Sequence, residues 1–283
     1  MEPMSLVTVI LIIINVIVSY RGFKSESFFE RYLFRVDNVL VGKEYRRLVS
    51  SGFLHIGWAH LVMNMISLYL FGKMLEAYMG GMAFLVVYMA GLIGGDLLAL
   101  LIHRNHGDYS SVGASGAVSG VIFAAIALFP GMHVGFFLLP ISIPGWLYGL
   151  IYVLYTIYGI RSKADNIGHE AHLGGALVGL LVALAFHPEA IMENYTTLLI
   201  IMVPACIFIY IIITRPHVLL IDNLFYKGHH RNANIEDRYN LEKRNQQQQI
   251  DDLLDKIHRK GMSSLTKAER DKLDEYSNNL SSG

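Results

Sequence analysis

Seven apolar stretches, at 5–20, 57–72, 80–102, 114–130, 143–160, 169–187 and 195–214, constrain this chain more than any other feature. A bilayer's hydrocarbon core takes roughly 20 apolar residues of helix to cross, and inside it each backbone polar group must be satisfied within the segment. Stretches of this length and number predict an all-α polytopic membrane protein. Composition agrees, with 53% of the 283 residues hydrophobic and 16% charged. The first stretch follows residues with no Lys or Arg and lacks a small-x-small cleavage pattern. It is therefore expected to stay as a helix rather than leave as a signal peptide.

The charges are unevenly spread, and the last quarter of the chain holds half of them. A soluble tail is thus expected over 222–283, after a membrane domain over 1–187 and an additional transmembrane helix over 195–214. In the tail, Ile250, Leu253, Leu254 and Ile257 recur at helical spacing before Gly261. Thr266 then precedes Glu269 by three, a capping-box spacing that opens a second helix. Together these predict a small helical hairpin whose partner is not legible. The long connection 21–54, rich in Phe, Tyr and Arg, reads as an interfacial segment with short amphipathic helices. A net charge of zero gives no reason to expect nucleic acid as a partner. The single cysteine, Cys206, excludes an intramolecular disulfide.

Polar side chains inside membrane spans are costly and ask for a partner, a cavity or a function. Here they are His55, His60, Asn64, Asp96, Ser115, Ser119, His169 and His172. In "HIGWAHLVMN", His60 and Asn64 are four apart and share a helix face, with His55 at the helix mouth. In "HEAHLGGALVG", His172, Gly175 and Gly179 form one stripe. "SVGASGAVSG" supplies a match, because Gly116 and Gly120 are four apart and follow Ser115. Two glycine-faced helices pack closely, and closeness would bring Ser115 within reach of His172, the minimum for an activated serine. Taken one at a time, these residues equally fit a capping serine and hydrogen-bonded interior histidines. A metal site is the other chemical reading of four histidines and Asp96, but no HExxH pattern is present, and neither metal nor cofactor is expected.

Over roughly 40–187 the chain resembles the rhomboid family of intramembrane serine proteases. "HIGWAHLVMN" is similar to the family's second-helix pattern, "GASG" to its catalytic GxSG and "AHLGGALVG" to its sixth-helix AHxxGxxxG, in the family's order. The resemblance implies a six-helix rhomboid core, followed here by the seventh helix and the tail. It implies Ser115 as nucleophile and His172 as general base in a dyad without a carboxylate. It also implies an oxyanion site from His60, Asn64 and the Ser115 N–H. His55, Gly113, Gly116, Gly175, Gly179 and Arg47 would shape the site. Arg47 matches the arginine of the family's Trp-Arg pair, and Arg46 stands in the tryptophan's place. Ser119 occupies a position where some members carry an aromatic ring against the histidine. Glu76 matches a polar residue read as structural.

The implied activity is cleavage of transmembrane segments of membrane proteins, with the lipid bilayer as the other partner. A catalytically silent relative that binds or escorts transmembrane clients is the alternative, although both Ser115 and His172 are retained. No internal inverted repeat of the transporter kind is detectable. The expected location is a multi-pass position in a bacterial cytoplasmic (inner) membrane. Orientation is contested within the sequence itself. The resemblance puts 21–54 outside the cytoplasm, whereas its seven Lys and Arg residues favour the inside.

Overall fold

The computed structural model describes residues 5–129, 131–136, 139–162 and 167–214, with Thr266. The hairpin expected in the tail lies outside the described residues. Seven long helices occupy the seven apolar stretches: α1 (Leu6–Lys24), α5 (Trp58–Met79), α6 (Gly81–His103), α7 (Ser115–Leu128), α8 (Gly145–Ser162), α9 (His169–Phe186) and α11 (Tyr195–Thr214). The intervening numbers belong to short pieces. These are α2 (Glu26–Tyr32), α3 (Val36–Leu40) and α4 (Arg47–Ser50), a 3-10 turn at Ser51–Phe53, and α10 (Ala190–Glu193). The expected short helices of the 21–54 connection are thus present. By length and composition α1, α6, α9 and α11 can cross a membrane. The Arg47–Phe53 segment joined to α5 across a 96° bend makes a fifth candidate.

Two helices run further than expected. The first continues past 20 to Lys24, because Arg21 and Lys24 sit in its last turn, where cations suit the helix dipole and can reach the interface. The second continues past 72 to Met79 because Glu76 has a task at the start of α1. Its carboxylate accepts from the Val7 N–H (2.9 Å), the Thr8 N–H (2.8 Å) and the Thr8 hydroxyl (2.7 Å). Glu76 thereby satisfies N–H groups that a helix start leaves without acceptors.

The fold is organised around α7, in which all thirteen residues from Gly116 to Leu128 are buried. Its 14 residues give a rod of about 21 Å, short of a roughly 30 Å hydrocarbon core. Ser115 opens this short helix. Around it α6 and α9 close in through glycines. A Cβ on Gly120 would lie 2.9 Å from the Gly175 carbonyl oxygen and 3.2 Å from the Gly91 Cα. On Gly175 it would overlap the Gly116 carbonyl, and on Gly179 the Gly120 backbone. The predicted pairing of α7 with α9 is therefore present. The sequence reading missed the third participant, α6, whose "GLIGG" at 91–95 packs on both.

Two small antiparallel pairs complete the described residues. β1 (Phe34–Arg35) pairs with β2 (Ser110–Ser111), joining the first long connection to the segment before α7. β3 (His133–Phe136) pairs with β4 (Leu139–Pro144) between α7 and α8. The seventh helix is packed onto the core. Leu198, Ile201, Ala205, Phe208 and Ile212 of α11 are buried, and Ile201 lies over Gly149 of α8. Asn194, just before α11, donates from Nδ2 to the Ile126 and Ala127 carbonyls at 2.9 and 3.2 Å. It satisfies acceptors that the end of α7 would otherwise leave open.

Candidate active site

Ser115 is the first residue of α7 and His172 lies in the first turn of α9. The glycine seam draws these two helix starts together, and His172 Nε2 stands 2.7 Å from Ser115 Oγ. A helix start also leaves the Ser115 N–H without an intrahelical acceptor and concentrates the positive end of the dipole there.

Gly113 precedes this turn with φ +133, a conformation that side chains strain to adopt. Space requires glycine as well. A Cβ there would lie 2.7 Å from Cε1 and 2.9 Å from Nε2 of His60, and 3.6 Å from Ser115 Oγ. The missing side chain lets the His60 ring stand against the Gly113 backbone, on the side where Ser115 Oγ lies. His60 Nδ1 is buried and has no hydrogen-bond partner among the described residues. Asn64, on the same face, donates from Nδ2 to the His60 carbonyl at 3.0 Å.

His55 is fully buried. Its protons can be placed by counting. The Ser19 hydroxyl has one hydrogen, and the Phe53 carbonyl 3.0 Å away can only accept it. His55 Nδ1, 2.8 Å from Ser19 Oγ, must then be the donor, which leaves Nε2 to accept the Ala114 N–H at 3.4 Å. His55 therefore supports the turn before Ser115 from below, edge-on to the His60 ring at 4.9 Å.

The same count settles Ser119, which the sequence left without an assigned role. Ser119 Oγ lies 2.7 Å from the Ser115 carbonyl and must donate to it. The Tyr152 hydroxyl, 2.6 Å from Ser119 Oγ, is then a donor to Ser119. The Tyr152 ring, on α8, stacks on His172 at 6.2 Å and 27°. An aromatic ring is thus present against the histidine, contributed by another helix. His169 also finds its place. It packs against Gly159 and edge-on to Tyr155 at 5.0 Å, so α8 and α9 meet through two tyrosine–histidine couples, each at i, i+3 spacing.

Around the site, polar lacing holds the connections. Arg47 is buried and donates from Nη1 to the Glu30 and Leu33 carbonyls at 2.9 and 2.7 Å, and from Nε to Glu44 at 2.8 Å. Arg46 is exposed and reaches the same carboxylate. Those bonds hold the Glu44 carboxyl down at a pKa of about 2, the Arg47 bond being the strongest cause. Ser51 links the Arg47 carbonyl (2.6 Å) to the Asp96 carboxyl of α6 (2.8 Å). His103 Nε2, at the end of α6, lies 3.0 Å from Glu170 Oε1 in the first turn of α9. The Tyr109 ring stacks on His103 at 3.6 Å, and burial together with the Glu170 charge pushes the Tyr109 hydroxyl well above its ordinary pKa.

Tyr152, Ser19, Asn194, His103 and Glu170 escaped the sequence reading. For Ser19 a signal existed, since Thr8, Leu11, Asn15, Ser19 and Gly22 form one buried stripe of α1 at steps of three and four. Tyr152 and Glu170 carry no such local pattern.

Comparison with known proteins agrees with this architecture. The Rhomboid domain model matches residues 42–189, and a family of unknown function (DUF6576) matches 233–279. RHOMBOID-like protein 12, mitochondrial, of Arabidopsis thaliana is 31% identical over 184 residues, covering 59% of this chain and 54% of its own length. Rhomboid protein 1, mitochondrial, of Saccharomyces cerevisiae is 30% identical over 161 residues (56% and 46%). Rhomboid protease GluP of Bacillus subtilis is 30% identical over 150 residues (53% and 28%). The chain spans about half the length, or less, of these relatives. Most are named for mitochondria or a chloroplast, so the bacterial inner membrane expected from sequence draws no support from them, while the integral-membrane reading holds. With that domain covering more than half of its length, the chain belongs to the rhomboid family.

Proposed function

We propose that the chain is an intramembrane serine endopeptidase that cuts transmembrane segments of membrane proteins with a Ser115–His172 dyad. The observation that carries this reading is the 2.7 Å approach of His172 Nε2 to Ser115 Oγ at the start of a buried helix. In the reaction, Ser115 Oγ attacks the peptide carbonyl carbon while His172 takes its proton. The carbonyl oxygen becomes an oxyanion beside Gly113, stabilised by His60 Nε2, the Ser115 N–H and the second N–H of Asn64. With no partner on Nδ1 among the described residues, the His60 ring can carry its proton on Nε2. Each such donor typically contributes about 10²–10³-fold. His172 then protonates the departing amine, leaving an ester on Ser115. Water, deprotonated by His172, attacks that ester, and the proton returns to Ser115 as the acid leaves.

A fluorophosphonate should label the full chain at Ser115, and Ser115→Ala and His172→Ala should abolish labelling. Single-span proteins reconstituted with the wild type should yield fragments absent with Ser115→Ala. Loss of a triad member costs up to about 10⁶-fold in a soluble serine protease, so each variant should be nearly silent. Equal labelling of wild type and both variants would sink the dyad. An intact fold without cleavage of any transmembrane segment would favour a client-binding role.

A further inference from the structure

We infer that Asp96 is a positioning residue for the turn that carries Ser115, acting through Ser51 as a neutral carboxylic acid. The inference rests on the dyad reading above and extends it to a buried acid of α6 that the reaction does not use. A proton count assigns the state of this acid. Ser51 Oγ lies 2.6 Å from the Arg47 carbonyl oxygen and 2.8 Å from Asp96 Oδ2. Both contacts have the length of a full O–H···O bond, so each needs its own hydrogen. The hydroxyl has one, and the carbonyl can only accept it. The second hydrogen must then come from Asp96, which makes its carboxyl the donor and Ser51 Oγ the acceptor. The surroundings agree. Asp96 is buried, and among the described residues no cation pairs with it. Arg47, the nearby cation in sequence to Ser51, turns its guanidinium to Glu44 and to the Glu30 and Leu33 carbonyls. A buried carboxyl without a cation keeps its proton, because the bare charge is costly away from water.

What Asp96 holds leads to the serine. The Ser51 carbonyl accepts the Gly113 N–H and the Leu54 N–H, each at 3.1 Å. Gly113 is the positive-φ residue two before Ser115, and the His60 ring stands against it. Leu54 precedes His55, whose Nε2 accepts the Ala114 N–H. One carbonyl therefore reaches the catalytic turn twice, directly at Gly113 and by way of His55 at Ala114. The 3-10 turn that bears Ser51 also touches α6 at a second point, since a Cβ on Gly52 would overlap Leu92. Leu92 and Asp96 are four apart and share a helix face. The apolar contact fixes how near the turn lies to α6, and the hydrogen bond fixes its register along the helix. Without that bond the Ser51 carbonyl can shift, and the Gly113 N–H shifts with it.

The test uses the purified full chain and a fluorophosphonate, reading kinact and KI separately, with the thermal unfolding midpoint and the infrared spectrum at neutral pH. Wild type should show the C=O stretch of a protonated carboxyl that is missing from Asp96→Asn. The Asn amide still offers Ser51 Oγ a donor, so kinact should stay within about fivefold of wild type, the scale of one neutral hydrogen bond. Asp96→Leu removes the donor while the Ser51 hydroxyl keeps the Arg47 carbonyl, so no polar group is left unpaired. Its midpoint and KI should stay near wild type and its kinact should fall on the order of 10–100-fold, as expected when a catalytic turn strays by up to an ångström. Ser51→Ala, which removes the acceptor, should fall as far. Wild-type kinact in Asp96→Leu would overturn the positioning role and leave the dyad standing. Equal losses in the Asn and Leu variants that track a lowered midpoint would make Asp96 a packing residue, against the inference. Identical carboxyl bands in wild type and Asp96→Asn would refute the neutral acid. Should Asp96→Leu not fold, Ser51→Ala takes its place, and wild-type kinact there would sink the inference. A wild type that fails to label brings down the dyad and the positioning role together, while the infrared band still reports the proton on Asp96.

Discussion

The two sides of the serine helix are built from opposite materials. Toward α6 and α9, α7 presents glycine to glycine, backbone against backbone, with no side chain to yield. Toward α8 and the connection before α5 it presents the Ser115 and Ser119 hydroxyls, which meet imidazoles and a tyrosine of the neighbouring segments through single hydrogen bonds. The first side sets how near Ser115 and His172 stand, and the second sets how their side chains turn. Substitutions should divide accordingly. Changes on the glycine side should remove the site altogether, and changes on the polar side should tune it.

The largest effect is expected from Gly175→Val. A Cβ at this position would overlap the Gly116 carbonyl, a backbone atom that cannot rotate away. The helices must part, and overpacking alone costs about 1–3 kcal/mol. A displacement near 1 Å at the dyad costs about 10²-fold. Labelling of Ser115 should fall at least that far, with a lower unfolding midpoint. Gly175→Val labelled at the wild-type rate would break the comparison at its root.

This division also explains what could be read in advance. Seven helices, the serine and histidine at two helix starts, and the seam of Gly116, Gly120, Gly175 and Gly179 all follow from patterns that repeat every three or four residues along one segment. Such patterns survive in the sequence because the helix itself generates them. The polar side has no such trace. Ser119 meets Tyr152 from 33 positions away, Ser19 meets His55 from 36, and Asn194 meets Ile126 from 68. Each partner is chosen by the way helices pack, so Ser119 and His169 could be flagged as polar groups in need of company, but not matched. Gly91 on α6 was missed for a related reason. A glycine-rich run names a close approach without naming what approaches.

Asn194→Ala tests the far end of α7, away from both sides of the dyad. It leaves the Ile126 and Ala127 carbonyls buried without their donor, at about 1–3 kcal/mol for an unsatisfied buried group. The unfolding midpoint should drop clearly, while kinact at Ser115 stays within twofold or so of wild type. A large loss of kinact at unchanged midpoint would show that the seventh helix acts on the dyad and would redraw the comparison. On the polar side, Ser19→Ala removes the acceptor of the His55 Nδ1–H and so loosens the support of the Ala114 N–H. One neutral hydrogen bond is worth about 1 kcal/mol, so labelling should slow by about fivefold. No slowing would confine His55 to packing.

The smallest effect belongs to Glu44, at the outer end of the polar lacing. Its carboxyl is held near pKa 2 from an ordinary 4.5, first by Arg47 and then by Asn38 and Arg46. Between those values the unfolded chain takes up a proton that the folded chain refuses, so stability from this group falls as pH drops from about 4.5 to 2. Above 4.5 the contribution is complete, and below 2 it is gone. Solvent reaches this carboxylate, so the contribution stays in the modest range of exposed ion pairs. The unfolding midpoint of Glu44→Gln should lie slightly below wild type at neutral pH, and the gap should close as pH falls through that window. A gap of constant size at every pH would mean that Arg47 is held by its two carbonyl partners alone. The lacing of the first connection would then depend on backbone acceptors, as the glycine side depends on backbone contacts, and charge would have no part in it.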